Sequence, residues 1–428
     1  MAEKAAEAFG HFMKTLRRRR GFSLPDVCRF FEHSPDRIDK GTLSRLERGQ
    51  QGLALAKIGS LSRIYGVSPE VPIERFELDR EVEQRDGPET EGLSVRELLD
   101  AGRTCLLDGS DKVAAYAYFR DAVMLADDEG KPPDDAELIS LRFNLATSER
   151  GLGKNGLALY EFTELEVVTR RTENHGPVLE RISNCQRCLG NLAEAERCAH
   201  EAIREAKARS DFRTVGFAYD SLANINMARG GAPETTAEFL ALAYRANRSA
   251  EDENGPLRPS VSFEINTLNR LAECYLDAGR EHTARRAAIS AKALSEKHGV
   301  ATGLGFAELY LGCVDERQGL DDRAEARWRT AQSIADATGN KRLQFASGFY
   351  RYRMALRLGE NARARALSRK LDGLAPWLSN SLPLVDRYRD LSIGSTAPSR
   401  NHETRGSTPN RPNRIGPRVH VPPNRGLE

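Results

Sequence analysis

The chain has 428 residues, 39% of them hydrophobic, and sets 64 Lys/Arg against 62 Asp/Glu for a net charge of +2. That length can hold two or three domains with their own cores, and charge this dense and balanced marks a soluble protein. No run of about eighteen apolar residues is present, which excludes a membrane span. The opening MAEKAAEAFG has no apolar signal core. Seven cysteines, an odd number spread over a long chain, point to reduced thiols and a cytoplasmic location.

The charge is unevenly placed. Residues 1–76 carry 14 Lys/Arg against 9 Asp/Glu, and residues 394–428 carry 6 Arg against 2 Glu, so the middle is acidic. A basic head on an acidic body fits nucleic-acid binding by the head alone. Within the head, Met13 and Leu16 share one face of a first helix that runs into Arg17-Arg18-Arg19-Arg20-Gly21. Ser23 is a cap residue for a second helix, with Pro25 tolerated in its first turn and Val27, Cys28 and Phe31 turned inward. Lys40 to Gly49 reads as a third helix with Leu43 and Leu46 on its inner edge. Thr42, Ser44, Arg45 and Arg48 lie on its outer edge, and Gly49 stands at the helix stop. Leu55, Ile58, Leu61, Ile64 and Tyr65 form the stripe of a fourth helix, closed by Gly66. Four or five short helices in about seventy residues, one of them basic, make a helix-turn-helix plan. A helix with arginines and hydroxyls outward suits the major groove.

On these residues the head, 9–70, resembles the lambda-repressor-like (XRE-type) helix-turn-helix family. The matching pieces are Met13 and Leu16, GFSLPDV at Gly21–Val27, TLSRLERG at Thr42–Gly49 and LSRIYGVS at Leu61–Ser68. The resemblance implies base contacts from Lys40, Gly41, Thr42, Ser44 and Arg45, and a structural role for Glu47. Arg17, Arg18, Ser23 and Arg48 complete the expected DNA-binding set. Three departures stand out: a longer turn at Glu32–Asp39, Leu24 where a polar phosphate anchor is usual, and Leu53 where proline is common.

Residues 1–70 are thus expected as the DNA-binding domain and 71–93 as a linker. The linker contains Pro72, Gly87 and Pro88 and the run ELDREVEQRD, with room for a short helix at Ile73–Gln84. From 94 to 377 one unit recurs: a Gly at a turn, then Ala five residues later. The pairs are Gly153/Ala158, Gly190/Ala195, Gly279/Ala284, Gly319/Ala324 and Gly359/Ala364. A looser copy has its turn at Gly230-Gly231 and a second helix from Pro233. Tight glycine turns followed by small residues describe antiparallel helix pairs, and a pair that cannot bury its own face must stack on its neighbours. The unit resembles the tetratricopeptide repeat with a longer period. The expected fold is all-α, a helix-turn-helix domain followed by an α-solenoid of about seven helix pairs. Their starts are expected near Ser94, Asp135, Pro177, Phe212, Ser262, Gly303 and Leu343. Residues 394–428, with STAPS, NRPNR and VPPNRG, are expected as a disordered basic tail.

The first helix of each pair should line a concave groove. Arg150, Asn184, Arg187, Asp220, Asn224, Asn266, Asn269 and Arg353 are the inward candidates. Asparagine can both donate to and accept from a peptide amide, and arginine can hold a carboxylate. A groove that is merely solvated is the competing account. Cys185-x-x-Cys188 with Cys198 and His200 invites a zinc reading, but Cys198 and His200 diverge by about 200° on one helix. No metal and no cofactor is expected. The chain lacks a phosphate-cradling glycine loop and a His/Asp/Ser set, so no enzyme activity is expected. The layout resembles bacterial regulators with an XRE-type head on a tetratricopeptide body, in which the body dimerises and some members bind signalling peptides. That implies double-stranded DNA as partner, a homodimer, and a peptide or protein ligand for the groove. The alternative is a repeat scaffold whose head binds DNA weakly or binds protein.

Overall fold

The computed structural model describes residues 2–32, 37–52, 54–85, 87–108, 111–132, 134–250, 261–378 and 383–395. Among them every regular element is helical. The head is built from α1 (Ala2–Arg19), α2 (Leu24–Phe30), α3 (Lys40–Glu47) and α4 (Leu55–Tyr65). Ser23 caps α2 through a reciprocal box with Asp26, and Asp39 caps α3 by accepting from the Thr42 amide. These side-chain oxygens satisfy amides that a helix start leaves unpaired. Met13, Leu16, Val27, Phe31, Leu43, Leu46, Leu61 and Tyr65 are all buried in one core. Cys28, expected inside, is only half-buried, and so is Leu24, which packs against the core edge. The longer turn contributes Ile38, 2% exposed, to the same core. Residues 33–36 and Leu53 lie outside the described residues.

Gly49 does more than stop α3. It sits at φ +69°, and a Cβ there would stand 2.5 Å from the backbone nitrogen of Glu7. Across the contact, a Cβ on Gly10 would stand 2.5 Å from the Leu46 carbonyl oxygen. Two glycines thus let α1 and the end of α3 touch backbone to backbone, which fixes how far α3 projects.

Within the stretch expected as a linker the chain forms α5 (Glu70–Gln84), 15 residues long. Its Leu78 and Val82 are buried in the same core as the head and the first repeats. The proline and charge content that argued for a linker has a different cause. Pro72 falls in the first turn, where no amide is missed. Two of the charges, Arg75 and Asp79, are buried as an ion pair at 3.1 Å.

Seven antiparallel pairs follow: α6/α7 (Val95–Asp108, Lys112–Asp128), α8/α9 (Ala136–Gly151, Asn155–Thr169) and α10/α11 (His175–Cys188, Leu192–Ala208). Then come α12/α13 (Phe212–Ala228, Pro233–Ser249), α14/α15 (Val261–Asp277, Glu281–His298), α16/α17 (Ala301–Arg317, Asp321–Thr338) and α18/α19 (Lys341–Arg357, Asn361–Leu374). The turn glycines 153, 190, 279, 319 and 359 all have φ between +70° and +84°. The alanines that follow them are 0–3% exposed. These five pairs therefore close by the same means: a left-handed turn, then a methyl where two helices cross. First helices of neighbouring pairs also touch one another, α10 with α12, α14 with α16 and α16 with α18. This sets them on the inner side of the stack. After a 3-10 turn at Ala375–Trp377, α20 (Pro383–Ser395) packs back on α18, with Tyr388 edge-on to Phe345 and Tyr352. Apart from residues 394 and 395, which end α20, the expected tail lies outside the described residues.

Candidate nucleic-acid interface and repeat groove

Helix α3 presents the residues expected to meet DNA. Lys40, Gly41, Arg45 and Arg48 are exposed, while Thr42 and Ser44 are half-buried. Arg45 is held out by two contacts: its Nε donates to Gln51 Oε1 at 2.7 Å and its Nη2 to Thr42 Oγ1 at 3.3 Å. Thr42 in turn donates its hydroxyl to Asp39 at 2.9 Å. Arg48 Nε donates to the Ser44 carbonyl at 3.2 Å. The helix thus carries a fixed guanidinium at its centre and a second one turn later. Gln51, just past the helix, positions Arg45; only its place beyond the Gly49 turn could have marked it in the sequence. Asp39 adds a carboxylate at the N-terminus of α3, and the Thr42 amide and hydroxyl hold it below the usual carboxylate range. Asp36 lies outside the described residues.

The basic run Arg17–Arg20 divides its labour, and most of it faces the protein. Arg17 is 9% exposed and forms a two-pronged pair with Glu47 at 2.6 and 2.7 Å, with a third bond to the Phe22 carbonyl. It is not available to a phosphate, because its donors are spent holding α1 to the end of α3. Arg19 grips Glu161 and Tyr160 on α9, and Arg20 binds the Tyr65 carbonyl at 2.6 Å and lies 3.8 Å from Glu164. Of the four, Arg18 is the exposed member not engaged in such a bridge among the described residues. Ser23 is exposed, but its hydroxyl is occupied with Asp26.

The head is fastened to the body by these arginines and by α5. Glu74 accepts from the Leu157 amide at 2.7 Å, at the start of α9, and Lys154 reaches Glu77. Burial pushes the Glu161 carboxyl up, but Arg19 and Arg142 outweigh it and bring it down to about 2. Glu149 nearby is wholly buried, has no hydrogen bond to either carboxylate oxygen among the described residues, and has Arg75 at 3.8 Å; its pKa is raised by burial and by Glu161.

On the inner side of the repeats lies a cavity of about 680 Å³, bounded by α10, α12, the start of α13, α14, α16, α18 and α20. Three of the expected groove residues line it: Arg187, Asn224 and Arg353. The others are placed differently. Asn269 is 4% exposed and donates to the Gly303 carbonyl at 3.0 Å, tying α14 to α16 instead of facing a ligand. Asn184 bridges to Ser221 and Glu180. Asp220 is paired with Arg270 beside Asn224. Asn266 is exposed beyond the cavity, and Arg150 is half-buried outside it. The sequence reading missed Arg270, Arg317, Arg342 and Arg387 together with Phe306, Tyr310 and Tyr350. A signal was there. Phe306, Tyr310, Cys313 and Arg317 fall on one face of α16, and Arg342, Ala346, Tyr350 and Arg353 on one face of α18. Cys274 and Cys313 also line the cavity, and burial pushes both thiols up to about 12, which disfavours the thiolate form. Among the described residues no three His, Cys, Asp or Glu side chains come together in a way that could hold a metal ion, and no helix is long and apolar enough to cross a membrane.

Residues 8–76 match the model of a helix-turn-helix domain family. No curated protein matches the sequence. Among solved structures, the apo form of RapI is similar at 11% identity and TM-score 0.50, covering 70% of this chain and 80% of that one. Aspartyl phosphate phosphatase F from Bacillus subtilis is similar at 13% identity and TM-score 0.44, covering 92% and 91%. A Rap protein complexed with competence and sporulation factor is similar at 14% identity and TM-score 0.44, covering 80% and 89%. At 11% identity the likeness to RapI is one of fold alone. The chain joins a helix-turn-helix domain to a solenoid of tetratricopeptide-like helix pairs.

Proposed function

We propose that the protein is a sequence-specific, XRE-type DNA-binding transcription regulator of the cytoplasm. Its repeat body pairs two copies and takes an effector in the inner groove. The observation that carries this reading is α3. It is a short helix with Lys40, Arg45 and Arg48 exposed and Leu43 and Leu46 buried, inside a matched helix-turn-helix domain. Arg45, steadied by Gln51 and Thr42, has the geometry to fork onto the O6 and N7 of a guanine. One such head makes few contacts, so two heads on two half-sites are needed for useful affinity. The test is anisotropy with duplexes from the protein's own upstream region, across a salt series. Arg45→Ala should weaken specific binding by about 1–3 kcal/mol and relax discrimination at one base. Weak binding equal for all sequences and unmoved by the substitution removes the assignment.

A second reading, a repeat scaffold whose head binds DNA weakly or binds protein, has one observation in its favour. Arg17, Arg19 and Arg20 face protein, so the run supplies fewer phosphate contacts than its sequence promised. A salt slope well below that of several phosphate contacts would favour it.

A further inference from the structure

We infer that the arginine-lined cavity on the inner side of the repeats is a binding site for a short acidic peptide. The inference deepens the effector reading above and rests on it. The carrying observation is a charge imbalance along one partly open cavity. Arg187, Arg270, Arg317, Arg342, Arg353 and Arg387 line the cavity, against two carboxylates, Glu273 and Asp277. Half of these arginines have carboxylate partners. Arg270 is paired with Asp220, Arg353 with Glu316, and Arg387 lies 3.9 Å from Asp277. The other half do not, among the described residues. Arg187 reaches only the Cys188 sulfur at 3.4 Å, and its Nε is buried with no hydrogen-bond partner. Arg317 donates to the Leu276 carbonyl. The Arg342 guanidinium sits 5.9 Å over the Phe306 ring. Three guanidinium groups without counter-charges share one space, and an anion bound among them would find forked donors already in position.

The arrangement selects among anions. The three arginines without a carboxylate partner among the described residues stand on α10, α16 and α18, so the positive charge is spread along the groove and does not converge on one point. Glu273 and Asp277 stand on α14 between them and would repel the dense charge of a polyphosphate. A chain with carboxylates spaced along it meets the arginines and avoids the acids. Asn224 donates one amide hydrogen to Asp220 and accepts from Arg270, which leaves its second N–H and second lone pair for a peptide backbone. Phe306, Tyr310 and Tyr350 form an aromatic wall for one apolar side chain. The volume, about 680 Å³, lies within the range of small-ligand pockets.

The test is calorimetric titration of the full chain with three probes: the peptide Asp-Glu-Phe-Asp-Glu, its uncharged counterpart Asn-Gln-Phe-Asn-Gln, and ATP. The acidic peptide should bind, and the counterpart should bind at least about tenfold more weakly. Arg342→Gln, at an exposed position, should weaken the acidic peptide about tenfold with an unchanged unfolding midpoint. Arg342→Lys should recover part of the loss by keeping the charge without the fork. No binding of the acidic peptide at about millimolar concentration overturns the inference. So do equal affinities for the two peptides, tighter binding of ATP than of the acidic peptide, or no loss in either Arg342→Gln or Arg317→Gln. The wider reading is separated by measuring DNA affinity in parallel. Peptide binding that leaves DNA affinity unmoved upholds the site and removes the effector role. Failure of specific DNA binding with the peptide still bound upholds the site and removes the regulator.

Discussion

Four adjacent arginines with the same side chain end in three different environments, and position on α1 decides which. Arg17 lies on the face that meets α3 and is paired with Glu47. Arg19 and Arg20 project past the helix end onto α9, and Arg18 points away into solvent. A buried pair gains from its geometry what it lost in hydration, so removing one partner costs more than the pair contributes. Glu47→Ala should therefore destabilise the protein by about 3–5 kcal/mol, read from urea unfolding, because it strands the Arg17 charge in the core. A change within about 0.5 kcal/mol, the scale of an ordinary surface substitution, would show the pair to be open to water. The same substitution should leave Arg45 in place on its own helix, so residual DNA affinity of the folded fraction is the control.

At the scale of elements, glycines do two different jobs. In the repeats they provide left-handed turns with open space around them: among the described residues, and chain neighbours aside, no atom lies within 4 Å of a Cβ placed at Gly153, Gly190 or Gly279. At Gly49 the left-handed turn is combined with a backbone contact to α1. Gly49→Ala has both a strained φ and a clash with main-chain atoms that cannot swing away, so it should cost well over about 1 kcal/mol. Gly190→Ala has the strain alone and should cost about 1 kcal/mol. Thermal unfolding of the two variants tests this ordering; equal losses would mean that the α1–α3 contact yields freely.

At the scale of the molecule, the head, α5 and the first repeats share one hydrophobic core, so α3 is carried on the body and not on a tether. The joint is ionic as well as apolar, and its carboxylates respond to pH in opposite senses. Glu161, brought down to about 2, contributes stability that is present above its unfolded value near 4.5 and lost as pH falls toward 2. Glu149 is raised, so its contribution is intact below about 4.5 and lost as pH rises through its folded value. Glu149→Gln removes the second effect. It should raise stability at pH 8 relative to wild type and have a smaller effect at pH 4, measured by denaturant unfolding at the two pH values. An equal effect at both would show that Glu149 does not change charge on folding.

The elements of this protein were legible in the sequence because their causes are local. The turn glycines and the alanines that follow them dictate helix pairs whoever their neighbours are, and pair starts read from that pattern fall within about two residues of those observed. The same holds for α3, where Leu43, Leu46 and Gly49 mark an inner edge and an end. What tertiary structure alone decided is where charged side chains are directed. A run of arginines reads as a phosphate-binding patch until Glu47, Glu161 and Glu164, distant in sequence, arrive to claim three of its four members. The charges of α5 read as solvated until Asp79 meets Arg75 and Arg120 inside the core. In the groove, Asn269 looked inward by helical spacing, yet the Gly303 carbonyl of the next pair binds it, while Arg317 and Arg342 line the cavity beside the aromatic residues of their own helix faces. Helical periodicity is a property of one segment, whereas the partner of a charge is set by which segments the whole stack brings together.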